Sequence, residues 1–488
     1  MSAEAVPGAP RSFVEVARAA GRTVPGSGRA VVCVQGLGFV GAAMAIAVAM
    51  ARGRDGTPLY DVIGVDLPTE SGRKRVDALN RARFPFETTD LRMGEALREA
   101  HAAGNLVACT EPAVYALASV VLVDIHLDVD WDRQPPRLAW EGFRRGITQL
   151  ASQVAPGALV IVETTVPPGT IAKVVAPIFA EQLAARGIAP ETVKLAHSYE
   201  RVMPGREYLD SIVNYWRVYA GHTPEAGDAC ETFLSSVLHT DRFPLTRLGN
   251  TTSSELAKVL ENAYRATIMA FMEEWGRFGE AVGVDLFEVA EAIRLRPTHS
   301  NLRTPGFGVG GYCLTKDPLF GALAARDLFG LENEFPFSTL AVETNQRTPR
   351  VTVDRVQTLL GGSLAGKTLL LLGVSYRQDV GDTRYSPSET FVREARARGA
   401  AVIPHDPLVG HWDEMNEAVA RDLPPTAGVD AIVFAVPHRE YRALDLRAWL
   451  AGRTPAIFDA FSVLTRDQRE ALRALGCRVE SIGRGKDQ

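Results

Sequence analysis

Apolar residues in this chain fall in short runs separated by longer stretches of helical spacing. Ala30 to Gln35 is a β-rich run that meets the cluster Gly36-Leu37-Gly38-Phe39-Val40-Gly41, and a helix-forming stretch from Ala42 to Arg52 follows. Val62 to Val65 is a second run, closed by Asp66, and further strands are predicted at Ser119–Asp124, Leu159–Glu163 and Val193–Ala196. Helical patterns lie between them, and strands alternating with helices predict βαβ units and a parallel sheet. From Glu255 to Val282 the texture changes. No proline interrupts that stretch and its first glycine is Gly276, so it predicts one helix long enough to bridge two domains. A second α/β pattern starts near Gly366, with a buried strand Lys367–Leu372 entering Gly373, a run Val402–Pro404 before His405-Asp406, and a buried strand Ala431–Val436. The predicted fold is α/β, with two Rossmann-like domains joined by a long central helix. The boundaries read as a mobile extension over 1–29, a first Rossmann-like domain over 30–230, a central helical domain over 231–345 and a second Rossmann-like domain over 346–488.

Composition narrows the partners more than the fold. Lys plus Arg is 53 and Asp plus Glu is 58, a net charge of −5 that offers no field for nucleic acid or an anionic membrane. An anionic small molecule would need a local cationic pocket. The five cysteines, Cys33, Cys109, Cys230, Cys313 and Cys477, include no CxxC pair, which argues against zinc clusters and redox dithiols and fits a reducing compartment. No apolar run reaches the ~18 residues that a membrane span needs, and no basic-then-apolar leader is present at the N-terminus, so a soluble cytoplasmic protein is expected.

The first glycine cluster follows a strand, opens a helix and has an acidic residue at the end of the next strand. Gly36 allows the tight turn, Gly38 lets backbone approach a pyrophosphate, and Gly41 lets the helix pack on the sheet. Asp66 can accept ribose hydroxyls and repel a 2′-phosphate, which favours NAD over NADP, although Arg73, Lys74 and Arg75 stand close by. The acidic run Asp124-Ile125-His126-Leu127-Asp128-Val129-Asp130 has no second His or Cys cluster near it, and no metal is expected there. Glu163–Thr170 closes a strand with a rigid double-proline turn that holds Thr165. His197–Arg206 places the pair Glu200-Arg201 just past a strand. Lys258 and Asn262 are four apart and share a helix face. In Pro305–Asp317, glycines crowd ahead of Cys313, and Lys316 would favour the thiolate, the competent nucleophile.

Taken together, GLGFVG, ETTVPPGT, ERVMPG, ELAKVLENAYR, GVGGYCLTKDP, the Asn345 region, GVSYRQDVGDTRYSP, His405-Asp406-Pro407 and Ala435–Glu440 resemble the nucleotide-sugar 6-dehydrogenase family, from about Val31 to about Leu464. That family includes UDP-glucose, GDP-mannose and UDP-N-acetylhexosamine dehydrogenases. The resemblance implies a four-electron oxidation of a sugar C6 alcohol to a carboxylate with two NAD, through a thiohemiacetal and a thioester on Cys313. It implies that Lys258 stabilises the C6 oxyanion with Asn262 beside it, that Asp317 orders lysine and water, that Thr165 binds water, and that Glu200 serves near C6. It places Arg201, Lys258, Asn262, Asn301, Gly310 and Gly311 on the nucleotide sugar. Gly36, Gly38, Phe39, Val40, Gly41, Asp66, Thr165, Lys316 and Arg384 fall on the cofactor side. It also implies a homodimer built on the long helix, with a UDP-sugar favoured as substrate.

Four positions depart from the family pattern. Asp124–Asp128 replaces a VPTP-like loop, Tyr199 stands where a proline usually precedes the glutamate, His299 takes an arginine's place, and Phe461-Ser462 replaces an Arg-Asn pair. Two other readings compete. A non-catalytic nucleotide-sugar binder predicts a broken Cys-Lys-Asn-Asp set, and a two-electron dehydrogenase would need no thiol and no second α/β domain.

Overall fold

The computed structural model describes residues 12–485. They form two compact units. One runs to Val259 and includes Phe320–Asn333, and the other comprises Leu260–Leu319 and the chain from Glu334 onward.

The first unit is built on an eight-stranded sheet. In chain order its strands are β1 (Ala30–Gln35), β2 (Tyr60–Val65), β3 (Leu106–Cys109), β4 (Ala118–Val123), β5 (Leu159–Val162), β6 (Lys194–His197), β7 (Val218–Gly221) and β8 (Thr246–Arg247). Their order across the sheet is β8-β7-β6-β5-β4-β1-β2-β3. All neighbours are parallel except the antiparallel pair β6 and β7. Both faces of the sheet are covered, which is why β1 reads as an unbroken apolar run. Val32 and Val34 enter one core with Val62, Leu122 and Ile161, while Cys33 enters the other with Ile63, Val121 and Val160. This is the two-residue period of a strand written into two cores.

The start of the described chain differs from expectation. Helix α1 (Phe13–Ala19) lies inside the stretch read as a mobile extension, and its Phe13, Val16 and Ala17 are buried with Val107 and Tyr115. The Arg22 guanidinium then donates to the carbonyls of Leu106 and His101. At seven residues the helix is too short to show a helical period in the sequence. Residues 1–11 of that extension lie outside the described residues.

The second unit has a five-stranded parallel sheet. Its strands are β9 (Thr368–Leu372), β10 (Ala401–His405), β11 (Ala431–Phe434), β12 (Ala456–Asp459) and β13 (Val479–Ser481), in the order β10-β9-β11-β12-β13. The predicted long helix is α3 (Thr251–Ala281), which runs on from the first unit into the second. A second long helix, α4 (Pro336–Leu359), is not legible in the sequence because Pro349 sits inside it and reads as a break. The proline has no N–H for the carbonyl of Asn345, and that residue's side-chain amide instead ties α4 to the Ala266 carbonyl of α3. No helix among the described residues is long and apolar enough to cross a membrane.

Candidate active site

The glycine turn after β1 separates into two structural glycines and an open one. Gly36 has φ +92°, and a Cβ there would meet the Asp124 carbonyl oxygen at 2.5 Å. A Cβ on Gly41 would lie 1.8 Å from the Gly36 oxygen. A Cβ on Gly38 would meet no atom beyond its chain neighbours within 4 Å. Gly38 also caps α2 (Phe39–Ala49) without a side-chain hydrogen bond. An open glycine at a helix N-terminus fits a pyrophosphate. Phe39 stacks on Phe86 at 4.0 Å, which fixes the start of the helix.

Asp66 stands at the end of β2, 9% exposed. Its carboxylate accepts from the Leu67 amide at 2.7 Å and from Arg75 Nε at 2.7 Å, and more weakly from the Leu37 amide at 3.3 Å. Arg75 is thus the cation that answers this carboxylate.

Past β5, the double-proline turn is tied down by a residue that the motifs do not reveal. Glu255 on α3 is buried and accepts the amides of Gly169 at 2.5 Å and Ile171 at 2.7 Å. Burial pushes its carboxyl up to about 8 against the pull of those amides. Thr165 sits half-buried on this anchored turn, and the neighbouring Thr164 hydroxyl donates to the Ile125 carbonyl at 2.7 Å. One helical turn after Glu255, the Lys258 ammonium donates to the Glu200 carbonyl at 2.9 Å and lies 3.9 Å from the Glu200 carboxylate. Lys258 is 6% exposed and also sits over the Tyr199 ring, so Tyr199 floors the ammonium. Arg201 reaches the Trp216 carbonyl and stacks on the same tyrosine.

Beneath these groups lies a buried charged set. Glu163 and Arg217 pair at 2.6 Å, both almost fully buried. Asp124 turns one carboxylate oxygen into the same interior without a hydrogen-bond partner, and burial, together with Glu163 and Glu200, holds its carboxyl well above the ordinary range despite Arg217. His197 bonds Ser254 at 2.7 Å, and burial lowers its pKa to about 3, so the ring is neutral. Glu163 and Arg217 are 54 positions apart, and nothing in their local pattern announces the pair.

The second unit holds the thiol. The Cys313 carbonyl accepts the amides of Asp317 at 2.9 Å and Lys316 at 3.3 Å, which winds the chain into one turn. That turn buries Asp317 completely, and its two oxygens are divided: Asn262 Nδ2 donates to one at 2.9 Å and Lys316 Nζ to the other at 2.7 Å. Lys316 also lies 4.1 Å from the Tyr312 ring centroid. On the same ring sits Arg384, held by Asp382 at 2.7 Å. Burial works against the Arg384 charge, but the bonds to Asp382 outweigh it and raise the pKa. Gly310 and Gly311 are required by Tyr376, whose atoms a Cβ on either would meet at 2.7 Å. Tyr376 is pushed up to about 12, chiefly by burial and then by Asp382 and Cys313. Asn301 is exposed and 3.5 Å from the Tyr264 hydroxyl on α3. None of the five cysteines is in a disulfide, and burial raises the pKa of Cys33, Cys109 (to about 11), Cys230 and Cys477.

The first unit therefore assembles Gly36–Gly41 with Asp66, and Glu200 and Arg201 with Lys258. The second assembles Asn262, Lys316 and Asp317 behind Cys313, with Gly310, Gly311 and Arg384 around Tyr312 and Tyr376. Lys258 and Asn262 occupy successive turns of one helix.

Comparison with known proteins identifies the family. Models of the UDP-glucose/GDP-mannose dehydrogenase family match three stretches: the NAD-binding domain over residues 30–236, the central domain over 252–347 and the UDP-binding domain over 370–466. UDP-N-acetyl-D-mannosamine dehydrogenase of Pyrococcus horikoshii is 29% identical over 420 residues, 85% of this chain and 91% of that protein. NDP-N-acetyl-D-galactosaminuronic acid dehydrogenase of Ralstonia solanacearum is 28% identical over 426 residues, 85% of this chain and 92% of that protein. The solved structure of the Pyrococcus horikoshii UDP-D-ManNAc dehydrogenase superposes with a TM-score of 0.76 at 26% identity, covering 93% of this chain and 99% of that one. The chain belongs to the UDP-glucose/GDP-mannose dehydrogenase family, as an NAD-dependent nucleotide-sugar dehydrogenase.

Proposed function

We propose that this enzyme oxidises the C6 hydroxyl of a UDP-linked N-acetylhexosamine to the uronic acid, through covalent intermediates on Cys313. The names of its relatives support the sugar class. The observation that carries the mechanism is the division of buried Asp317 between Asn262 and Lys316, directly behind the Cys313 turn. NAD would be held by the open turn at Gly38 and by Asp66, where it supplies the acceptor for both two-electron oxidations.

The chain's own groups do the rest. Lys258, desolvated over Tyr199, offers an ammonium to the oxygen on C6 as negative charge develops there, an interaction worth about 3 kcal/mol or more. The Cys313 thiolate adds to the C6 aldehyde, forming a C–S bond while the aldehyde oxygen takes up a proton. After the second oxidation that carbon is a thioester. Water adds to it, the C–S bond breaks, the thiolate returns and the carboxylate is released with its proton. Asn262 and Asp317 orient the groups around C6, Thr165 holds water, and Glu200 stands as base for the hydrolysis.

A homodimer completes the reading. Leu260, Tyr264, Phe271, Trp275 and Phe278 are all exposed on α3 at spacings of three, four and seven, and exposed Val282 follows just past its end. That stripe is the pattern of a helix meeting its own copy. Sedimentation of the wild type as a dimer, and of Trp275→Glu as a monomer, tests it.

The decisive experiment is product analysis with NAD and a panel of UDP- and GDP-sugars. One sugar should gain one oxygen and lose two hydrogens, with two NADH formed per molecule. Cys313→Ala should stop at no more than one NADH per sugar. Near-normal turnover and stoichiometry in a folded Cys313→Ala would end the thioester reading.

A further inference from the structure

Within the first unit, the end of β6 meets the start of α3 at two successive rungs. His197 Nδ1 bonds the Ser254 hydroxyl at 2.7 Å, and the Lys258 ammonium lies over the Tyr199 ring, 5.3 Å from its centroid. The His197 and Tyr199 ring centroids are 6.1 Å apart, which matches the rise of about 6 Å from Ser254 to Lys258 along a helix. The helix start between the rungs is itself fixed, because Glu255 accepts the Gly169 and Ile171 amides. What remains to be set is the end of the lysine side chain, a flexible four-carbon stem.

Lys258 and Tyr199 are both buried. The Glu200 carbonyl accepts the ammonium at 2.9 Å. The Glu200 carboxylate stays at 3.9 Å, too far for a charge-assisted hydrogen bond, and accepts the Val202 amide. Arg201 shares the tyrosine: its guanidinium is 5.4 Å from the ring centroid, donates to the Tyr199 hydroxyl at 3.3 Å and is tied to the Trp216 carbonyl at 2.8 Å.

A buried ammonium is costly unless something negative faces it. A carboxylate in direct contact would serve, but it would also compete with the oxyanion that this ammonium has to meet. The face of an aromatic ring is negative without carrying a net charge. It steadies the ammonium and leaves its full charge for the oxygen on C6. We infer that Tyr199, which is not among the residues expected to carry the reaction, is a positioning residue for it: the face of its ring fixes the Lys258 ammonium where charge develops on the C6 oxygen. The inference rests on the dehydrogenase reading given above. Its working part is the ring face that the ammonium overlies.

The test is steady-state kinetics of the full-length enzyme with NAD and the UDP-sugar it oxidises. Tyr199→Phe should keep kcat within about twofold of the wild type, and Tyr199→Leu should lower it about tenfold with KM changed by no more than about twofold. Because leucine at a buried aromatic site also costs stability, the deciding series keeps the shape. In it the ring of the Tyr199→Phe variant carries one, two and then three fluorines, which drain its negative face at nearly constant size. The kcat should fall with each fluorine, to about fivefold below Tyr199→Phe at the third, while the melting temperature stays level. A flat kcat across that series overturns the inference. An effect confined to KM overturns it as well, and assigns the ring to Arg201. A wild type that oxidises no UDP- or GDP-sugar overturns the dehydrogenase reading and this inference with it, whereas normal wild-type turnover beside a flat series removes the inference alone.

Discussion

The two sheets of this protein each end their first strand in a glycine turn and their second in an aspartate, and the two turns have opposite fates. In the first unit the turn stays open. Gly38 has no atom within 4 Å of a would-be Cβ, and Asp66 answers an arginine at the edge of the sheet. In the second unit the turn is closed by its own side chains. A Cβ on Gly373 would meet Val436 at 2.4 Å. Asp406 is fully buried and accepts the amides of Val374 at 2.9 Å and Ser375 at 3.0 Å, the Ser375 hydroxyl at 2.9 Å, and His438 Nε2 at 3.2 Å. Those bonds and His438 hold the Asp406 carboxyl below its usual range, although burial alone would raise it. The same strand-turn-helix grammar thus serves a ligand in one place and the fold in the other. What differs is how many of the turn's amides the aspartate takes: one at 3.3 Å for Asp66, and two at 2.9 and 3.0 Å for Asp406.

Exchanging the two glycines should give the largest effects. Gly373→Val should cost about 3 kcal/mol or more in urea unfolding, because Val436 cannot yield and φ is +106°. Gly38→Val should leave the melting curve near wild type and weaken NAD about 100-fold, read by calorimetry. If Gly38→Val unfolds the protein and keeps NAD affinity, the open turn serves the fold and not the cofactor. The aspartates come next. Asp406→Ala strands three amides (Val374, Ser375 and Leu408), a hydroxyl and His438, and should cost about 2–3 kcal/mol with no change in NAD affinity. Asp66→Ala should weaken NAD about tenfold and narrow its advantage over NADP, with little loss of stability. Equal kcat/KM for NADP and NAD in the wild type would remove that role from Asp66.

A smaller effect is expected from the anchor of the double-proline turn. Glu255 binds a proton in the folded state that it lacks when unfolded, since its pKa is raised to about 8. Its contribution is therefore complete below the ordinary carboxylate range and is lost as pH climbs toward 8. Wild-type stability should fall between roughly pH 5 and pH 8, and Glu255→Gln should flatten that slope. Urea midpoints at three pH values measure it, and an unchanged slope in the variant would assign the titration elsewhere.

Much of this architecture is legible in the amino-acid sequence. Strand β1, the glycine turn and Asp66 announce themselves because backbone geometry demands particular residues at fixed offsets. Lys258 and Asn262 share a helix face by spacing alone. The partners of these groups are not legible, since contact between distant positions leaves no mark on local pattern. Asp317 and Asn262 are 55 positions apart. Glu255 reads as one more polar residue on a long helix, and only the folded chain brings it to the amides of Gly169 and Ile171. Helix α4 is hidden by Pro349, and β8 and β13, of two and three residues, by being short. The family departure at Asp124 is visible as an odd loop, but not as a residue whose backbone packs on Gly36 while its buried carboxyl has Glu163 and Glu200 for company.

The burial of four thiols has a practical consequence for covalent chemistry. Cys33, Cys109, Cys230 and Cys477 are held toward the protonated form, which alkylating reagents attack slowly. The native chain therefore carries its own quiet background. A substoichiometric electrophile that labels it quickly at neutral pH can be assigned to Cys313 by peptide mapping, without first replacing the other cysteines. An aldehyde or epoxide built onto a nucleotide sugar would then serve as a selective tag for this enzyme in a mixture.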